Sequence, residues 1–207
     1  MLLPLISTPK DAVARLILAH GAGAGADSAV LQQLTLALTV NKIAVVRFNF
    51  PYMQRQLSLG RKSFPDKMPL LLIAMQQQIQ QCTADLPLFI GGKSLGGRVA
   101  SLITDQPEVL ASFAFGYPFH APKKNIWRTE HFTELNRPLH IIQGERDPFG
   151  NKQELTDKAW PQVTLDWLPD ADHDFKPRKI SGYSQAELIV LSAHLCREKI
   201  NEILLAN

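Results

Sequence analysis

Cysteine is scarce in this 207-residue chain, which holds only Cys82 and Cys196. The two lie far apart and form neither a C-x-x-C pair nor a metal-binding spacing. That excludes a disulfide framework and fits a reducing compartment. A strong charge of one sign is also missing: the net charge is +3, and no basic block with interleaved aromatics occurs, so nucleic-acid binding is not expected. No apolar run approaches membrane-spanning length, the N-terminus lacks a charged leader, and Pro4 interrupts its short apolar start. No linker, internal repeat or low-complexity tract divides the chain. A single cytoplasmic domain over residues 1–207, without a membrane partner, is the expectation.

What is present is ordinary for a globular protein: 45% hydrophobic and 20% charged residues. Residues 1–10 offer at most a short edge strand. Apolar runs of strand length then occur at Val13–Ala19, Ile43–Phe48, Leu88–Ile90, Leu110–Tyr117, Pro138–Gln143 and Val163–Leu168. Helical patterns lie between them: from Asp27 or Ser28 to about Thr39, over Met68–Thr83, after Ser94, near Lys152–Trp160, and over Ser184–Leu205. Tyr52–Lys67 reads as a long polar loop and 118–137 as an irregular segment. Buried strands alternating with helices predict an α/β three-layer sandwich, with a mostly parallel sheet of about six strands and helices on both faces. In such sheets the working residues lie beyond the carboxyl ends of the strands.

The chemistry concentrates at Pro87–Ala100, PLFIGGKSLGGRVA. Gly92-Lys93-Ser94-Leu95-Gly96 is G-x-S-x-G in the strand–turn–helix context of a nucleophile elbow. A serine there adopts a strained backbone, and its flanking glycines must lack bulk so that strand and helix can approach. The Leu95 N–H, at the helix N-terminus, is placed to stabilise developing negative charge. A phosphate loop is the rival reading of Gly-Lys-Ser, but it needs a glycine where Pro87 stands. Simple helix capping by Ser94 is the plainer alternative.

A serine nucleophile needs a base, and the base an orienting acid. His140 falls inside a strand and His194 inside the last helix. His20 borders the glycine loop, while His120 and His131 sit in the irregular segment. His173, in Asp170-Ala-Asp-His-Asp-Phe175, follows the last strand and is the expected base. Asp147 follows the fifth strand and is the expected acid, with Glu145 in reserve; Asp170, Asp172 and Asp174 stand too near His173 in sequence to align with its outer nitrogen. After the first strand, Gly21 to Ala26 also satisfies G-x-G-x-x-A. This dinucleotide fingerprint would use Arg47 for a 2′-phosphate; the rival use is an oxyanion hole shared with Leu95.

His20-Gly-Ala-Gly23, Arg47-Phe-Asn-Phe-Pro-Tyr52, Gly92 to Gly97, Gly116-Tyr-Pro-Phe-His120 and Gly144-Glu-Arg-Asp-Pro-Phe-Gly150 together resemble the α/β-hydrolases over essentially the full chain. The order Ser94, Asp147, His173 is also theirs. More narrowly, the chain is similar to compact bacterial dienelactone-hydrolase-like proteins and to the hydrolase-like domain of the non-specific-lethal complex scaffold subunit. The resemblance implies Ser94 as nucleophile, Asp147 as acid, His173 as base, oxyanion donors at Leu95 and about Ala22, and the first long strand beside the elbow strand. No cofactor and no metal is expected. Dienelactone hydrolases proper carry a cysteine where this chain has Ser94, so their substrate is not part of the expectation.

The activity expected is that of a serine esterase on a small soluble ester. A non-catalytic scaffold on the same fold is the alternative, and a dinucleotide-binding protein a further one. Segment 118–137 is too short for a full cap and is expected as a cap-like insertion. Its Lys123, Lys124, Trp127, Arg128 and His131, together with His20, Arg47, Arg55 and His120, are the expected substrate contacts. Their charge predicts an anionic substrate.

Overall fold

A computed structural model describes residues 3–82, 85–124 and 126–206. Thr83, the expected last residue of the second long helix, lies outside them. Seven strands form one sheet: β1 (Leu5–Ser7), β2 (Ala14–Ala19), β3 (Ile43–Phe48), β4 (Leu88–Lys93), β5 (Val109–Phe115), β6 (Leu139–Gly144) and β7 (Val163–Leu168). Their spatial order is β1-β3-β2-β4-β5-β6-β7. Every pairing is parallel except β1 with β3, so the short edge strand makes the seventh member of a sheet expected to hold about six.

The central strands read as continuous apolar runs because both faces are covered. Alternation assigns each residue to a face. Leu16 and Leu18 pack with α1 (Ala29–Val40) and α6 (Gln185–Ala206). Their neighbours Ile17 and Ala19 pack on the other face with α2 (Pro51–Leu59), α3 (Met68–Gln81) and α4 (Leu95–Ser101). A last short helix, α5 (Lys152–Leu155), opens on a capping box between Asn151 and Glu154 and stops well before Trp160, where the expected helix ended. Beyond it the chain turns so that Trp160 packs with Tyr117, Phe119 and Phe132 in a third apolar cluster.

Two segments differ from expectation in ways that shape the site. The first half of Tyr52–Lys67 is the helix α2. Pro51 presets its first turn, and Gly60, at φ 62°, ends it in the left-handed conformation. Only Tyr52 and Met53 of this helix are buried, which left it without an apolar stripe to recognise. Segment 118–137, expected as a cap-like insertion, is pinned by its aromatics instead. Phe119 and Phe132 are fully buried against Leu139 and Ile141, and the Tyr117 hydroxyl donates to the Arg128 carbonyl at 2.7 Å.

Candidate active site

β4 ends in Lys93, and the chain reverses through Ser94 into α4. Ser94 sits at φ 51°, ψ −111°, a region that non-glycine residues rarely occupy. The turn closes only because its glycines are bare. A Cβ on Gly92 would lie 2.5 Å from the Gly96 carbonyl carbon, and one on Gly96 would lie 2.5 Å from the Ala19 oxygen. Ser94 is anchored at both ends: its N–H donates to the Phe115 carbonyl at 3.1 Å, and its own carbonyl accepts from Arg98 at 3.0 Å.

His173 comes to this turn from the loop between β7 and α6. Its Nε2 stands 2.9 Å from Ser94 Oγ, and its Nδ1 stands 2.7 Å from Asp147 Oδ2. The tautomer with its proton on Nδ1 satisfies both bonds, leaving Nε2 to accept from the serine hydroxyl. Asp147 is fully buried after β6. Gln143 Nε2 donates to its Oδ2 at 2.9 Å, and the Phe149 N–H donates to its Oδ1 at 2.8 Å. The Phe149 ring lies 4.3 Å from the imidazole, centre to centre. Glu145, the reserve acid, is engaged elsewhere, with Lys152 at 2.7 Å and the Asp170 N–H at 3.0 Å. Asp172 shapes the histidine loop, accepting from the N–H groups of Asp174 and Lys176 at 2.9 Å each.

The loop after β2 faces the elbow. His20 is buried, and its Nε2 accepts the Phe50 N–H at 3.0 Å. The ring proton therefore sits on Nδ1, which donates to the Gly21 carbonyl at 2.7 Å. Burial pushes its pKa below the usual histidine value and keeps the ring neutral. The Tyr52 hydroxyl reaches the carbonyls of Gly21 and Ala22 at 3.1 and 3.2 Å, and burial raises its pKa. Asn49 Oδ1 accepts the Ala26 N–H at 2.8 Å. With its carbonyls tied down on that side, the loop lines one wall of a cleft of about 300 Å³. Gly21 to Ala24, Ser28 to Leu31, Lys93, Ser94, His173 and Asp174 surround this cleft.

Several expected substrate contacts lie elsewhere. Arg47 is buried and donates to the Ala26 carbonyl at 2.7 Å, so it braces the glycine loop; the dinucleotide reading thereby loses its 2′-phosphate partner. His20 likewise shapes the loop from beneath. Arg55 pairs with Asp66 at 2.5 Å. His120 is buried beside Trp127 and stands 3.3 Å from Glu154. Trp127 packs with the third cluster and lies under the Lys158 ammonium. Arg128 points Nη1 toward the Pro118 carbonyl at 3.4 Å. His131 stands 2.9 Å from Ser101 Oγ, and burial pushes its pKa down to about 4, so it carries no charge at neutral pH. None of His20, Arg47, His120, Trp127, Arg128 and His131 lines the cleft: the first two brace the glycine loop, and the aromatic side chains of 118–137 draw the segment that carries the other four into the third cluster.

Sequence reasoning missed Lys93, Gln143, Asn49 and Tyr52. Lys93 is buried beside Ser94. Its ammonium donates to the His173 carbonyl at 2.6 Å and lies 5.4 Å from the centre of the Phe175 ring. Burial pushes its pKa from 10.5 down to about 8, against the opposing pull of Asp147, Asp174 and Asp172. Asn49 and Tyr52 stood inside the motif Arg47–Tyr52, whose letters carried the only advance signal.

A strained serine at the carboxyl edge of a doubly covered parallel sheet, bonded to a histidine and through it to a buried aspartate, defines a hydrolase-type architecture. The chain belongs to the alpha/beta hydrolase domain family, whose sequence model matches residues 12–201. Among solved structures it is similar to an alpha-beta serine hydrolase homologue from Coxiella burnetii, at 19% identity and a TM-score of 0.70, covering 93% of this chain and 90% of that one. Est1E from Butyrivibrio proteoclasticus, solved with ferulic acid, matches at 13% identity and 0.71, covering 97% and 94%. A dienelactone hydrolase from Anabaena variabilis matches at 20% and 0.67, covering 93% and 88%. At these identities the likeness is one of fold. No curated protein matches the chain. Among the described residues no helix is long and apolar enough to cross a membrane.

Proposed function

We propose that the protein is a serine hydrolase of carboxylesterase type, acting on small soluble esters. The observation that carries this reading is the unbroken chain of bonds from Ser94 Oγ through His173 to buried Asp147, opening onto a cleft. Ser94 Oγ attacks the acyl carbonyl as His173 Nε2 takes its proton. The imidazolium then returns that proton to the departing alcohol, leaving an acyl-enzyme. Water repeats the sequence, activated by the same nitrogen, and frees the acid. Asp147 holds the imidazole in the required tautomer, and its own orientation rests on Gln143 and Phe149. The oxyanion takes N–H bonds from Leu95, whose donor precedes the first intrahelical bond of α4, and from Ala22. The anionic preference once expected from segment 118–137 finds no support in the placement of that segment.

Fluorophosphonate labelling, paired with turnover of p-nitrophenyl acetate, tests the assignment. Wild type is expected to label stoichiometrically at Ser94. Ser94→Ala is expected to lose label and about four to six orders of magnitude in turnover, because triad members act as a unit. Near-normal turnover by Ser94→Ala would refute the nucleophile. A folded wild type that neither labels nor turns over would favour the scaffold alternative.

A further inference from the structure

The cleft at Ser94 does not end at the oxyanion loop. Ala22 and Gly23 line it, and the same two residues form a wall of a second, larger hollow of about 660 Å³. The other walls come from Gln56 and Leu57 of α2 and from the turn Gly60 to Pro65. That turn is built: the left-handed Gly60 reverses the chain, and the Ser63 N–H donates back to Gln56 Oε1 at 3.1 Å.

The two hollows differ in chemistry. In the first, Ala29, Val30 and Leu31 supply an apolar wall, and the Lys93 ammonium is engaged by the His173 carbonyl. The second contains Arg61 and Lys62, both exposed, with the Phe64 ring beside them and no carboxylate in its lining. Asp66, the acid nearest in sequence, is paired with Arg55. Among the described residues neither Arg61 nor Lys62 has an ion-pair partner.

We propose that the two hollows are halves of one substrate site divided by the oxyanion loop. The ester bond lies at Ser94, a short apolar group rests against Ala29 to Leu31, and an anionic group, carboxylate or phosphate, lies toward Arg61 and Lys62. This proposal rests on the serine-esterase reading. It moves the recognition of negative charge from segment 118–137 to the turn after α2. Because both cations are exposed, each contributes modestly and the attraction is screened by salt.

The test compares kcat/KM for matched esters: p-nitrophenyl butyrate against p-nitrophenyl hemiglutarate, and phenyl butyrate against its 4-carboxy and 4-phosphonooxy forms. These pairs separate an anionic acyl group from an anionic alcohol, and a carboxylate from a phosphate. Wild type is expected to prefer at least one anionic form at low salt. The doubly reversed variant Arg61→Glu/Lys62→Glu is expected to lower the anionic-to-neutral ratio about tenfold, and 1 M salt should compress the wild-type ratio likewise. Fluorophosphonate labelling of the variant checks that its site is folded; should it fail, Arg61→Gln/Lys62→Gln takes its place. An equal ratio in wild type and variant, with neutral esters still hydrolysed, would overturn this inference and leave the esterase reading intact. So would a ratio that moves instead with Lys123→Glu/Lys124→Glu. Wild type inert toward every ester would sink both.

Discussion

Replacing Lys93 by methionine should separate stability from pH in a way that can be worked out from the site. The folded amine has a pKa lowered from 10.5 to about 8, chiefly by burial. At 1.36 kcal/mol per unit, the charged form is therefore disfavoured in the fold by about 3 kcal/mol. The sign follows from proton counting. Below pH 8 both folded and unfolded chains carry the proton, and the penalty is present in full. Between pH 8 and 10.5 the folded amine gives up its proton while the unfolded chain keeps it, so stability rises with pH through that window. Methionine has nothing to titrate, but it leaves the His173 carbonyl without the donor that now stands 2.6 Å away, a loss of about 1–3 kcal/mol. The two effects nearly cancel at pH 7. Wild type should then gain about 3 kcal/mol over the variant by pH 10.5, or roughly 6–12 °C in Tm for a chain of this size. Parallel thermal and urea melts of both proteins at pH 7, 8, 9 and 10 measure that difference, with other titrating groups cancelling. A difference that stays flat across the series would refute the buried-ammonium argument. Turnover of Lys93→Met at pH 7 should nonetheless fall, because the loop that carries His173 loses its tie to β4.

Gly96→Ala should destabilise the protein by about 3 kcal/mol or prevent folding, since its Cβ would lie 2.5 Å from a backbone oxygen of β2. Gly23→Ala, whose Cβ meets nothing within 4 Å, should change stability by less than about 0.5 kcal/mol in the same denaturation assay. Tyr52→Phe removes the hydroxyl that holds the Gly21 and Ala22 carbonyls. It should lower kcat for p-nitrophenyl acetate about tenfold, at a stability loss near 1 kcal/mol; an unchanged kcat would refute the proposed oxyanion role of the loop that Tyr52 supports.

Features that arise within a few residues of chain were legible in the letters alone. Ser94 was legible because an elbow needs Gly92 and Gly96 at fixed offsets between a strand and a helix. The boundaries of β3 and β7 were read to the residue, and those of most other strands to within two: β3 is buried throughout and written as an apolar run, while β7, at the sheet edge, alternates apolar with polar residues over Val163–Leu168. Asp147 and His173 could be named because each follows a strand at the sheet's carboxyl edge, although only the folded chain puts His173 within bonding distance of both partners. The direction in which each polar side chain faces became visible only in the folded chain. Arg47 has the charge of a ligand contact, yet Ala26, distant in sequence, claims it. The cations and histidines of 118–137 have the composition of a substrate-contacting insertion, yet Phe119 and Phe132 of that segment bury themselves beside β6. Helix α2 stayed hidden because only two of its residues enter the core, and one of them, Tyr52, serves a loop on a different strand. In each case the deciding contact joins residues well separated along the chain. Local pattern carries no record of such contacts: burial of one partner is settled only when the sheet and its covering helices close around it.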